Sequence, residues 1–211
     1  MDKIAKIKKM ADSEAYRLLE KYKIPVAKHI FVKKSKNFEK DIEKHAKEYP
    51  CVVKIDGDVI HKKKAGCVEI IYKQEELKKK ISSVVKNSKK FKVNGVIIQD
   101  FVTGKEIMVG CKRDPQFGTI IMFGSGGVMA DVIKDVSFRI LPVDERELEF
   151  MIKETKAYQV LMEGENVDEL ADVLRKVSKL MIDNIEIKEL DINPFFLGQK
   201  KCAGDVRVIL R

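Results

Sequence analysis

Near the C-terminus, Glu189-Leu190-Asp191-Ile192-Asn193-Pro194 alternates oxygen-bearing and apolar side chains. That period of two is a strand with Glu189, Asp191 and Asn193 on one face and Leu190 and Ile192 turned into a core. A turn at Gly198-Gln199-Lys200 and a second strand through Asp205 follow. A hairpin centred on Gln199 sets Asn193 opposite Asp205, with side chains roughly 5 Å apart. Three carboxylates and one amide carbonyl then share a patch of sheet, and such crowding is costly unless the charge is met. Mg²⁺ meets it well, being a hard cation that takes oxygen ligands and arrives with phosphates. The plainer reading is a solvated hairpin face on which Lys188 and Arg207 balance the acids.

Other positions could serve the same phosphate chemistry. Lys54 lies inside the apolar run Cys51-Val52-Val53-Lys54-Ile55, so its ammonium must either reach solvent at a sheet edge or meet an anion. Gly124-Ser125-Gly126-Gly127 follows a strand-like run and could aim backbone N–H groups at phosphate. It lacks the Lys-Ser/Thr of a P-loop and the spacing of a dinucleotide-binding turn, and as a lone motif an ordinary turn is the simpler reading. Gln99-Asp100-Phe101-Val102 could offer its backbone to a purine edge, and Glu106 could accept hydrogen bonds from ribose hydroxyls; a plain hairpin is the alternative. His61 sits in the loop Asp58-Val59-Ile60-His61-Lys62-Lys63-Lys64. Imidazole is nucleophilic near neutrality and can carry a phosphoryl group. The flanking lysines would stabilise the incoming charge, although a surface histidine in a basic loop needs no such role.

These residues need elements to hold them. Ala15, Leu18, Leu19 and Tyr22 recur at helical spacing, giving a helix over 13–22. A strand over 29–33 and a helix from Phe38 to Tyr49 follow, with Asn37 as its N-cap and Pro50 as its stop. Strands over 51–55 and 67–72 flank the His61 loop, and Leu77, Ile81 and Val85 mark a helix. Strands over 96–101, 106–111 and 119–123 come next. Asp144 caps a helix carrying Leu148, Met151 and Ile152, and residues 167–181 form another. The expected division is an N-terminal lobe over 1–95 and a C-terminal lobe over 96–211, with a cleft between them as the site.

With 211 residues and 45% apolar content the chain can bury a core of this size. No C-x-x-C is present among Cys51, Cys67, Cys111 and Cys202, which disfavours a zinc or redox motif. Buried free thiols in a reducing cytoplasm are expected instead. No stretch approaches a membrane span, and no secretory leader is evident. The net charge of +9 permits polyanion binding. The lysine runs interleave with acids and lack an aromatic stacking pattern, so solvated helix faces explain them more simply and nucleic acid is not the expected partner.

The order of the motifs is informative where each alone is not. Ile24-Pro25-Val26, Val52-Val53-Lys54, Ile60-His61-Lys62, Gln99 to Val102, Gly104-Lys105-Glu106, Phe123 to Val128, Lys134 to Arg139 and Asp191-Ile192-Asn193-Pro194 run in sequence. Over residues 10–211 this resembles the ATP-grasp β subunit of ADP-forming acetyl-CoA synthetase, in the NDP-forming acyl-CoA synthetase family. The resemblance implies an α/β (α+β) ATP-grasp fold of two lobes gripping ATP or ADP. It implies that Lys54 touches nucleotide phosphates, that Asp100, Phe101 and Val102 form the adenine hinge and that Glu106 binds ribose. Gly124, Gly126 and Gly127 would face phosphate, while Asn193 and Asp205 would hold Mg²⁺ with Asp191 in support. His61 would be the phosphoryl relay, and Arg17 matches a helix cation only loosely. A separate CoA-binding α subunit, and hence a hetero-oligomer, is implied as well. Two departures from the family pattern are Gly66-Cys67, where paired glycines are usual, and Asp131, where glutamate is common. A succinyl-CoA synthetase-like β subunit and a non-catalytic nucleotide- or nucleic-acid-binding module are the alternatives.

Overall fold

A computed structural model describes residues 8–127, 135–156, 158–163 and 165–211. The chain divides into two compact units. The smaller comprises Ala11–Glu14 and Ala27–Val102; the larger comprises the chain up to Met10, Ala15–Val26 and Thr103–Arg211.

The smaller unit is built on four antiparallel strands in the order β2-β5-β3-β4: β2 (His29–Lys33), β3 (Cys51–Gly57), β4 (Val68–Ile71) and β5 (Val93–Asp100). Helices α2 (Phe38–His45) and α3 (Gln74–Ser88) pack against this sheet and each other. Phe38 and Ile42 from α2 and Leu77, Ile81 and Val84 from α3 meet Val53, Ile55, Ile71, Val96 and Ile98 in one core. Helix α2 stops at His45, short of the expected Tyr49, and Asn37 makes no side-chain cap bond. Its N–H instead donates to Ser35 Oγ. The expected boundary near residue 95 differs from the division seen, because β5 pairs with both β2 and β3 and so carries residues 96–102 into the smaller unit.

A buried polar cluster ties the His61 loop into this unit. Asp56, at the end of β3, accepts from the Asp12 N–H at 2.8 Å and from Ser13 Oγ at 2.6 Å, so its carboxylate serves the first turn of helix α1 (Asp12–Lys21). Asp12 in turn pairs with Lys62 Nζ at 2.9 Å. All four side chains are buried. Lys62, expected as a flanking charge for the histidine, is therefore committed inward.

The larger unit holds a seven-stranded antiparallel sheet in the order β1-β11-β9-β6-β7-β8, with β10 also on β9. Its strands are β1 (Lys8–Lys9), β6 (Lys105–Asp114), β7 (Gly118–Ser125), β8 (Val136–Ile140), β9 (Ile187–Leu197), β10 (Cys202–Ala203) and β11 (Val206–Leu210). Helices α4 (Glu145–Lys153) and α6 (Val167–Asp183) pack on it, with the single turn α5 (Tyr158–Leu161) between them in sequence. Asp144 caps α4 as expected, accepting from the Glu147 N–H at 2.9 Å. Helix α6 buries Leu170, Leu174, Val177 and Met181 along one stripe. Arg113 donates to the carbonyls of Met181, Asn184 and Ile187, placing a cation at the end of α6 where the helix dipole favours it. Strand β8 was not expected from the sequence.

All four cysteines are free and buried. Burial pushes the Cys51 thiol up to about 11, with the Asp100 charge adding to it, and raises Cys111 further. The native chain should therefore react slowly with a disulfide reagent at neutral pH and release four thiols only in denaturant; rapid titration of a native thiol would contradict this burial. Asp12→Ala, which strands the Lys62 charge, is expected to cost ~3–5 kcal/mol in chemical denaturation, while Asp12→Leu/Lys62→Met recovers most of that loss.

Candidate nucleotide and phosphoryl-transfer site

In the smaller unit, β3 lies between β5 and β4, so Lys54 is on an interior strand rather than an edge. Its register partners are Ile97 and Val68, and it is 3% exposed. An ammonium so enclosed must be matched by polar groups or an anion. This removes the reading in which Lys54 escapes to solvent at a sheet edge.

The segment after β5 is more restricted than the sequence suggests. The Asp100 N–H donates to the Lys28 carbonyl at 2.9 Å, and the Phe101 N–H donates to that of Pro50 at 3.4 Å. Of the three expected hinge residues, Asp100 and Phe101 thus have their amides committed within the smaller unit. Phe101 packs edge-on against Tyr72, ring centres 5.9 Å apart.

His61 is exposed in the turn after β3. Its carbonyl accepts from the Ala65 N–H at 2.9 Å. On either side the chain is anchored, by Val59 in the apolar core and by Lys62 on Asp12. Gly66 has φ +64°, and its carbonyl accepts from Asn87 Nδ2 at 3.0 Å. The loop thus presents one histidine outward from two buried neighbours. Sequence reasoning missed Asp12, Ser13 and Asp56 here; an Asp-Ser pair opening a helix was the available signal.

In the larger unit, the register of β9 with its return strands is the one predicted. Val206 pairs with Ile192, Ala203 with Phe195 and Cys202 with Phe196. Asn193 falls opposite Asp205, and its N–H donates to the Asp205 carbonyl at 3.2 Å. Leu190 and Ile192 are buried. The hairpin is braced from below: Gly204 N–H donates to the Pro194 carbonyl, and Tyr16 Oη donates to the Gly204 carbonyl at 2.9 Å.

The glycine loop joins this patch. The Gly127 N–H donates to Asn193 Oδ1 at 3.2 Å, and the Gly126 N–H donates to the Glu106 carbonyl at 2.8 Å. Gly127 has φ +60°, and a Cβ there would overlap the Glu106 carboxylate. A Cβ on Gly126 would collide with the backbone of Glu106 and Ile107, and one on Gly124 with the Asp135 carbonyl. The glycines are therefore required by close approach. Glu106, Gly126, Gly127, Asn193 and Asp205 are brought to one end of the sheet.

Asp191 has a different setting. It lies opposite Arg207 in register, with Nη2 3.4 Å from Oδ2. Burial raises its pKa; Arg207 opposes the rise, and Asp205 and Glu189 add to it. Asp191 is thus already engaged by Arg207. Among the described residues no group of three or more His, Cys, Asp or Glu side chains could hold a metal. One carboxylate and one amide oxygen still suit Mg²⁺, which keeps waters and takes substrate phosphates for the rest of its shell. Arg17 is exposed, and Asp131 and Lys134 fall outside the described residues.

Comparison with known proteins places these features in a family. An ATP-grasp domain model matches residues 4–210. The acetate–CoA ligase [ADP-forming] I subunit beta of Pyrococcus furiosus is 38% identical, with all of each chain covered. Acetate–CoA ligase [ADP-forming] I of Archaeoglobus fulgidus is 40% identical over 96% of this chain, which spans only 31% of that longer protein. The dinucleotide forming acetyl-coenzyme A synthetase 1 of Ca. Korarchaeum cryptofilum superposes with a TM-score of 0.77 at 32% identity, covering 97% of this chain and 93% of the matched one. That structure holds coenzyme A and Mg-AMPPCP, with its phosphohistidine segment pointing towards the nucleotide binding site. The extent of these matches shows that the chain belongs to the ATP-grasp family, among the β subunits of ADP-forming acetate–CoA ligases.

Proposed function

We propose that this chain is the nucleotide-binding subunit of an ADP-forming acyl-CoA synthetase, working in a reducing cytoplasm with a separate CoA-binding chain. The full reaction is acyl-CoA + ADP + phosphate ⇌ carboxylic acid + CoA + ATP. The observation that carries this reading is the end-to-end match to a β subunit of 38% identity. The Asn193–Asp205 pairing and the exposed His61 agree with it.

The residues divide the work by chemistry. Lys54 places a compact positive charge for nucleotide phosphate, as a buried ammonium on an interior strand can. The Val102 N–H supplies a backbone donor for the base, and Glu106 accepts from ribose hydroxyls. Nucleotide binding would exchange the Gly127 N–H bond to Asn193 Oδ1 for one to a phosphate oxygen, freeing that amide oxygen for the metal. Asn193 and Asp205 would hold Mg²⁺, which supplies charge neutralisation at the phosphates. His61 receives the phosphoryl group. Written from ATP, a ring nitrogen lone pair forms the N–P bond while the bond from the terminal phosphorus to the bridging oxygen breaks. ADP leaves with that electron pair, and the second ring nitrogen releases its proton. The reverse step makes ATP. Beyond the histidine itself, phosphoryl transfer leaves the protein little covalent work, so positioning and electrostatics carry the rate.

Incubation with Mg²⁺ and γ-labelled ATP, with the CoA-binding chain supplied, should give an acid-labile, base-stable label on the parent and none on His61→Ala; label retained on the variant would move the relay elsewhere. By calorimetry, Asp205→Ala should keep its melting temperature within a few degrees yet bind Mg–ADP at least about tenfold more weakly, a loss of ~1.4 kcal/mol or more. Equal affinity would remove Asp205 from the metal set.

A further inference from the structure

The chain's positive charge is not spread evenly. The smaller unit holds nineteen of the 42 basic residues and twelve of the 33 acidic ones, and so accounts for seven of the nine excess charges. The larger unit with its N-terminal stretch is close to balance, at 23 basic residues against 21 acidic. Within the smaller unit the excess is concentrated again. Segments 59–68 and 77–99 contain no acidic residue at all.

The fold brings those two segments together around His61. Asn87 donates to the Gly66 carbonyl at 3.0 Å, and the Asp58 N–H donates to the Lys92 carbonyl at 3.0 Å. Gly57 pairs with Val93 across β3 and β5. The C-terminal turn of α3 and the residues after it therefore lie beside the histidine loop. Lys63, Lys64, Lys86, Lys89, Lys90 and Lys92 are all exposed there. None of the six pairs with a carboxylate among the described residues, whereas Lys80, earlier on α3, is paired with Glu76 at 2.9 Å. The acids nearest in sequence are Asp58, itself exposed, and Glu69, which is half-buried. Lys62 adds no free charge, because Asp12 neutralises it in the interior.

Six ammonium groups carried on two adjoining segments repel, and the arrangement costs stability that a solvated surface could avoid by interleaving acids. A polyanionic surface removes that cost. Resting on the function proposed above, we propose that this lysine collar is the docking surface for an acidic face of the CoA-binding protein chain that exchanges the phosphoryl group with His61. In the Archaeoglobus fulgidus relative the corresponding residues are covalently part of a chain more than three times as long. A separate subunit must find its partner by diffusion, and a predominantly positive patch beside the transferring residue speeds and orients that encounter. A protein occupant fits better than nucleic acid, since Phe91 is half-buried beneath Lys90 and the collar presents no exposed aromatic platform for bases.

The test compares the parent with Lys86→Glu/Lys89→Glu/Lys90→Glu, both as full chains, against the purified CoA-binding chain. Association is followed by biolayer interferometry at about 50 mM and about 500 mM KCl. The variant should associate about tenfold more slowly at low salt, with the two converging at high salt and off-rates little changed. Its ATP-dependent label on His61, measured at saturating partner, should stay within about twofold of the parent. Equal on-rates at low salt overturn the proposal. Loss of label in the variant alone also overturns it, by assigning these lysines to the nucleotide. So does binding of random-sequence DNA that the variant loses while its partner on-rate is unchanged. Absence of label in the parent would instead reject the functional reading and leave the docking surface to be judged by the on-rates.

Discussion

The pairing of β9 with the chain that returns through β10 and β11 constrains everything the larger unit can do. Because side chains alternate along a strand, a shift of one residue would turn Leu190 and Ile192 to solvent and drive Asp191 and Asn193 into the core. Burial of those two apolar residues therefore fixes the register that sets Asn193 opposite Asp205. The same strand pairs on its other side with β6, which carries Glu106. One strand thus determines where a carboxylate, an amide and a second carboxylate stand, and the glycine loop closes on two of them. The apolar side of the sheet and its polar end are consequences of a single alignment.

The smaller unit solves a different problem. It must hold His61, the proposed phosphoryl acceptor, exposed on a loop without leaving the loop loose. The answer is to bury the residue after the histidine, an ion pair between Lys62 and Asp12, and to let Asp56 serve the helix end from which Asp12 comes. Burying such a pair gives little net stability compared with apolar replacements. What it gives is a fixed place for the loop, since separating the pair would leave a buried charge without this partner.

Much of this was legible from residue order alone. Alternation in 189–193 and the spacing of the turn residues specified the hairpin register, and helical periodicity located α1, α3, α4 and α6 because each buries an apolar stripe. Lys54 was recognised as anomalous within an apolar run, though only the sheet order shows its strand to be interior. Strand β8 escaped notice because its two outward residues, Phe138 and Ile140, are apolar and exposed, which blurs the alternation. Lys62 was read as a surface charge because its partner is fifty residues earlier, beyond the reach of local pattern. The commitment of the Asp100 and Phe101 amides was equally invisible, since Lys28 and Pro50 meet them through tertiary structure. Local chemistry is written locally; the competition for each donor is not.

The enclosed Lys62–Asp12 contact also has a thermal consequence. Hydration of ions becomes less favourable as temperature rises, so the penalty for keeping this pair out of water diminishes on warming. Apolar packing gains no comparable advantage per unit area. The anchorage of the histidine loop should accordingly lose less of its strength on heating than the hydrocarbon core around it, leaving His61 tethered when other parts of the sheet begin to fray.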